Sequence, residues 1–592
     1  MSFTTRPELR GNFGMVASSH WLAAQTGMSM LESGGNAFDA AVAAGFALQV
    51  VEPHQNGPSG DLPVILFDAK TGSTRVICAQ GPAPAMASIE HYRREGLTLI
   101  PATGLLAAVV PGAFDGWMQL LRDHGTKRVA DVLGPAIAFA RDGYPVAPTL
   151  AQFIANVAEL FRKEWPSSAS LYLPGGKPPS VGARFRNPEL AETYARILTE
   201  AESAGADREA QIEAARKAFY KGFVAERIGA FCAETEVLDS SGLRHKGVLT
   251  AHDMAEWQAT YETPVTYDYH GYTVCKTQPW GQGPIFLQSL ALLKGFDLAS
   301  MPPMGDAFVH HLLEALKLAF ADREAYYGDP DYVRVPMTEL LSDGYNDKRR
   351  PLISDTASRD LRPGHIPGFA AQLPARVAGD IAIKAGEGEP NVAMVGETRS
   401  DTVHIDAVDR WGNMVSCMPS GGWLQSSPVI PGLGFCLGTR AQMFWLEPGL
   451  PASLAPKKRP RSTLTPGLAL RDGKAALAFG SPGGDGQDQW ALFMFLRHVH
   501  HNMNLQAAID APAILSYHAP NSFYPRQAKP AFLQMEDRYP EATVEALRKR
   551  GHQIDLVDGW SLGRLCAVGR EPDGMLKAAA NPRFMQGYAV GR

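Results

Sequence analysis

The chain has 592 residues, 45% of them hydrophobic and 20% charged, which are the proportions of a soluble globular protein long enough for more than one folding unit. A formal net charge of −5 gives no reason to expect nucleic acid or an anionic membrane as partner. No apolar run is long enough to span a bilayer, and residues 1–8 lack the apolar centre of a signal peptide, so the cytoplasm is the expected location. The six cysteines, Cys78, Cys232, Cys275, Cys417, Cys436 and Cys566, are scattered without a CxxC pair. They read as buried thiols, not as a disulfide framework or a zinc site.

In chain order, residues 17–50 read as helical, with a stop and turn at Ser33-Gly34-Gly35-Asn36. The second part, rich in alanine, is suited to close packing. Residues 52–60 form a loop before a strand over 63–67. His54 in that loop reads either as a catalytic histidine or as a packed one, and packing is the simpler reading. Helices follow Pro111-Gly112 and Val129. Another starts at Asp306, with Val309, Leu312, Leu313, Leu316 and Phe320 as its buried stripe, and ends around 321–323. Residues 386–390, Gly-Glu-Gly-Glu-Pro, read as an exposed linker.

The linker leads to Asp401-Thr402, where a strand is predicted to begin. Thr402, His404 and Asp406 share one face; Val403, Ile405 and Ala407 share the other. Residues 409–413 turn the chain into a returning strand over 414–418. A second hairpin pairs 468–470 with 475–479. Gly480-Ser481-Pro482-Gly483-Gly484 follows, and then a helix over 489–500. Two glycines before a helix can aim backbone N–H groups at a developing oxyanion. His498, His500 and His501 lack the companions of a metal site. Residues 457–461, Lys-Lys-Arg-Pro-Arg, read as a solvated loop ahead of a nucleic-acid patch. There is no P-loop, dinucleotide fingerprint or zinc-protease helix.

Asp401-Thr402-Val403-His404 with Asp409-Arg410-Trp411-Gly412-Asn413, and Gly480-Ser481-Pro482-Gly483-Gly484, closely resemble motifs of the γ-glutamyltranspeptidase family. Weaker likeness, as at Tyr269-His270-Gly271-Tyr272 and Tyr327-Gly328-Asp329-Pro330, extends it unevenly from about residue 14 to about residue 520. The resemblance implies a precursor that cuts itself between Asp401 and Thr402 into a large subunit, 1–401, and a small subunit, 402–592. Together they would build an α+β fold, the N-terminal-nucleophile αββα four-layer sandwich. Thr402 would be the nucleophile and its new α-amine the general base, since a threonine hydroxyl alone is weak at neutral pH. No cofactor or metal is implied. The implied partners are an amide donor and a water or amine acceptor, with the heterodimer itself or a dimer of heterodimers as the assembly.

The same resemblance assigns roles by position. Ser420 falls where a hydroxyl supports the nucleophile. Ser462 and Thr463 match a pair that bonds the donor's carboxylate, and Gly483 and Gly484 match the oxyanion glycines. Four positions depart from the γ-glutamyl pattern: Gln80 replaces an arginine, Gly422 an asparagine, Arg440 a glutamine and Met443 an aspartate. The loop at 52–63 also departs, at Pro58, Asp61 and Pro63. A short segment over 447–461 implies an open site. The expected activity is amide hydrolysis or acyl transfer with a non-standard acyl group, as in the cephalosporin (glutaryl) acylase branch. Ordinary γ-glutamyl transfer and a catalytically silent binding relative are the alternatives.

Overall fold

The computed structural model describes residues 3–375 and 402–592; Asp401 and the linker at 386–390 lie outside them. Two seven-stranded sheets lie face to face. One runs, in spatial order, Tyr588–Gly591, Gly14–Ser18, Ile405–Asp409, Met414–Cys417, Leu62–Asp68, Ser73–Ala79 and Thr260–Glu262. The other runs Leu9–Gly11, Leu576–Ala580, Cys566–Arg570, Lys474–Gly480, Gly467–Arg471, Tyr272–Lys276 and Val265–Tyr269. Neighbours within both are antiparallel.

Strand alternation assigns each side chain to a layer. Met15, Ile65 and Val408 point into the core between the sheets, where they meet Leu468, Ala478 and Val568. Their neighbours Val16, Leu66 and Ala407 point outward onto the helices Trp21–Glu32, Ala37–Val51 and Ala113–His124. On the opposite side, Val274, Leu477 and Ala567 face the helices Pro284–Leu293, Asp306–Tyr326 and Gln487–His501. The order is therefore helix, sheet, sheet, helix, the four layers expected. The alanine-rich helix begins at a capping box of Asn36 and Asp39. Its Gly45 lies where a Cβ would overlap the Trp117 ring, so the close packing read from its composition is realised.

Both predicted hairpins form, Ile405–Asp409 with Met414–Cys417 and Gly467–Arg471 with Lys474–Gly480. Four boundaries differ. Residues 14–18, partly assigned to helix, are a strand held between Ile405–Asp409 and Tyr588–Gly591. A short apolar run has no period of its own, and pairing with distant segments decides it. The central strand starts at Ile405; Thr402 instead makes an isolated bridge to Ser420. The helix from Asp306 continues to Tyr326, and the one after the glycines spans Gln487–His501. All six cysteines are buried thiols. No helix among the described residues is long and apolar enough to cross a membrane.

Candidate active site

Thr402 sits just ahead of the central strand, on the side facing the gap between the sheets. It is 1% exposed, and its Oγ1 lies 3.1 Å from Ser420 Oγ. The backbone fixes this pair. Val403 N donates to Pro419 O at 3.1 Å, and Thr402 bridges Ser420. Ser420 and Asp61 exchange backbone bonds of 3.1 and 2.8 Å. Gly60 makes that approach possible, because a Cβ there would run into Ser420 O. Arg564 Nη2 donates to Thr402 O at 2.5 Å, and Glu52 (3.2 Å) and Gln55 (2.8 Å) hold the guanidinium. Arg564 had no sequence signal, since it precedes a C-terminal strand beyond the motifs. One step along the same face, His404 Nε2 and Asp406 Oδ2 lie 2.8 Å apart and fully buried. Burial pushes the Asp406 carboxyl up, and His404 opposes it.

The two glycines lie at the end of the strand Lys474–Gly480, ahead of the helix Gln487–His501. Gly483 has φ +124° and Gly484 φ +48°, the left-handed region where side chains are strained. A Cβ on Gly483 would overlap the Trp490 ring. Gln487, with its amide oxygen toward the loop, accepts from Gly484 N at 3.3 Å and donates to Thr463 O at 3.1 Å. An oxyanion at Gly484 would replace that long bond. Asp485 anchors the loop by accepting from Ser522 N at 2.7 Å and Ser522 Oγ at 2.8 Å.

The positions that depart from the γ-glutamyl pattern gather beside this pair. Arg440 Nη2 bonds Asp61 Oδ1 at 2.8 Å, both side chains at 3% exposure or less. Its guanidinium lies 5.2 Å from the Trp423 ring centroid and 6.0 Å from that of Phe523. Met443 packs with the same two rings. Burial pushes the Asp61 carboxyl up while Arg440 pulls it down, and the Gln80 amide is close enough to add to that pull. Among the described residues, neither polar atom of the buried Gln80 side chain makes a full hydrogen bond. Gly422, at φ +68°, has Ser59 Oγ 2.6 Å from the place of a Cβ. Ser462 N donates to Trp280 O at 2.7 Å, and its Oγ accepts from Leu464 N at 3.2 Å. Thr463 Oγ1 is buried without a hydrogen-bond partner among the described residues. No local sequence pattern marks Asp61, Trp423 and Phe523 as contacts of Arg440, and Asp61 lies 379 residues away.

Two further expectations change. The site is not open in the uncut chain, since Thr402, Ser420, Arg440, Met443, Ser462 and Thr463 are each 2% exposed or less. Of residues 457–461, read as a solvated loop, only Lys457 is exposed. Arg459 pairs with Asp329, Asp331 and Glu262, and Arg461 with Glu324. His54 is fully buried against Phe153, and burial, with Arg564 and His20 nearby, holds its pKa well below the usual range. His498 bonds Met503 O and His500 bonds Tyr269 Oη. The described residues do bring His310, Glu314 and His552 together. There the two rings bond each other at 2.9 Å, and Lys317 takes Glu314 at 2.6 Å.

An αββα sandwich assembled from both ends of the chain is the fold of the N-terminal-nucleophile hydrolases. The family model described as Gamma-glutamyltranspeptidase matches residues 23–591, and the chain belongs to that family. It is 32% identical over 586 residues to the Glutathione hydrolase-like YwrD proenzyme of Bacillus subtilis (strain 168), covering 98% of this chain and 99% of that protein. The structure of LmbA2991HD superposes with a TM-score of 0.93 at 53% identity, covering 100% of both chains. Cephalosporin acylase from Bacillus halodurans superposes at 0.83 with 29% identity, covering 100% of this chain and 97% of that one.

Proposed function

We propose that the precursor cuts itself between Asp401 and Thr402, and that Thr402 then takes an acyl group from an amide donor and passes it to water or an amine. The observation that carries this reading is the Thr402–Ser420 hydroxyl pair, 3.1 Å apart, at the head of the central strand. After cleavage the α-amine of Thr402 serves as general base, Ser420 orients the hydroxyl, and the N–H groups of Gly483 and Gly484 receive the oxyanion. The proenzyme name of the Bacillus subtilis relative supports processing. The hydroxyl pair also argues against a silent binding relative.

The donor is proposed to carry a terminal carboxylate and no α-ammonium. Met443 offers no charge to an ammonium, and Asp61 is already bonded to Arg440. Ser462 and Thr463 remain for a carboxylate. Glutaryl-p-nitroanilide and γ-glutamyl-p-nitroanilide differ only by the α-amino group, so their kcat/KM ratio is the test. The glutaryl compound should be preferred by about tenfold or more, equivalent to ~1.4 kcal/mol. A strong preference for γ-glutamyl would return the protein to ordinary γ-glutamyl transfer.

A further inference from the structure

A charge imbalance is buried beside this pocket. Arg323, Arg461 and Arg526 gather around Glu324 and Asp485. Arg323 bonds Glu324 at 2.7 Å and also pairs with Asp485; Arg461 bonds Glu324 at 2.8 Å. Arg526 has no carboxylate partner among the described residues. Its Nη2 donates to Gln442 O at 2.9 Å and Phe444 O at 3.0 Å, and its guanidinium lies 4.5 Å from the Trp445 ring centroid. Nε and Nη1 of Arg526 and Nη1 of Arg461 find no hydrogen-bond partner among the described residues, although the two residues are only 1% and 2% exposed. Among the described residues, three cations against two carboxylates leave one buried positive charge uncompensated, an unfavourable state. Burial and the Arg461 charge push the Arg526 pKa down to about 9, as for a cation short of counter-charge.

The cluster is joined to the proposed site residues at three points. Arg461 directly precedes Ser462 and Thr463, Asp485 directly follows Gly484, and Arg526 holds the carbonyls on either side of Met443. We infer that Arg461 and Arg526 form the anion-binding end of the acyl pocket and take the terminal carboxylate of the donor's acyl chain. This rests on the reading of the site as an acyl pocket. It adds guanidinium groups with unused N–H donors to Ser462 and Thr463 as partners of the carboxylate, while Arg440 keeps its partner Asp61. Charge-assisted bonds from arginine to carboxylate are about twice as strong as neutral ones, so these two residues would govern selection.

Calorimetric titration of the full chain with glutarate and with pentanoate tests the assignment. The two anions share a five-carbon chain and differ in the second carboxylate. Wild type should bind glutarate about tenfold more tightly or better. Arg461→Gln and Arg526→Gln should each bring the two affinities within about threefold, while Arg526→Lys, which keeps the charge, retains most of the gap. Equal affinities in wild type, a gap that survives both glutamine variants, or a gap lost equally in Arg526→Lys would overturn the assignment. The titration needs no turnover. A wild-type chain that neither cuts itself nor hydrolyses an anilide would instead strike the catalytic reading.

Discussion

At the scale of single residues, the site divides into groups that carry a local signature and groups that do not. Thr402, Ser420 and the glycines stand in or beside turns and strands whose residue types announce them. Asp61 and Arg564 reach the site from far along the chain, 379 residues from Arg440 in one case and 162 from Thr402 in the other, and no local pattern encodes such pairing. The consequence is largest at Arg440. Read from the sequence it is an added cation; in the structure Asp61 neutralises it. Arg440→Gln should therefore do more than remove a charge, because it leaves Asp61 as a buried carboxylate able to accept an ammonium. The glutaryl to γ-glutamyl ratio of kcat/KM should fall by about tenfold or more, at some cost in stability. A ratio unchanged in a folded variant would remove Asp61 and Arg440 from donor selection.

At the scale of elements, the turn after the strand Lys474–Gly480 carries the clearest local requirement. Gly484 has φ +48°, which proline, locked near −65°, does not reach, so a proline there would rebuild the loop instead of deleting one N–H. Gly483→Ala is the sharper probe, since its methyl would press on Trp490 and turn the neighbouring N–H groups away. Turnover should drop by about 10²–10³, the effect of losing an oxyanion donor, with KM changed far less. Full kcat in a correctly processed Gly483→Ala protein would contradict the oxyanion role. The hairpins were legible because their turns and alternating strands are local. The strand Gly14–Ser18 was not, because its partners lie almost 400 residues or more away in Ile405–Asp409 and at the C-terminus.

At the scale of the whole molecule, the family motifs imply the four-layer sandwich, and the strand order shows how the two segments depend on each other. Ile405–Asp409 pairs with Gly14–Ser18, and Met414–Cys417 with Leu62–Asp68. Cutting ahead of Thr402 would thus leave two chains sharing one sheet and one inter-sheet core. They should elute together on gel filtration in native buffer and separate only under denaturing conditions. Separation in native buffer would contradict this arrangement. The imbalance at Arg526 is a property of this scale too, since it appears only when a helix, the loop before Ser462 and a C-terminal loop are brought together.

Whether Thr402 becomes an N-terminal nucleophile by self-cleavage is decided by Edman degradation of the smaller chain of the purified protein, with Thr402→Ala in parallel. Wild type should start Thr-Val-His-Ile-Asp, and Thr402→Ala should remain a single full-length chain, because no hydroxyl remains to attack the preceding carbonyl. A different first residue, or cleavage at the same bond in Thr402→Ala, would contradict it.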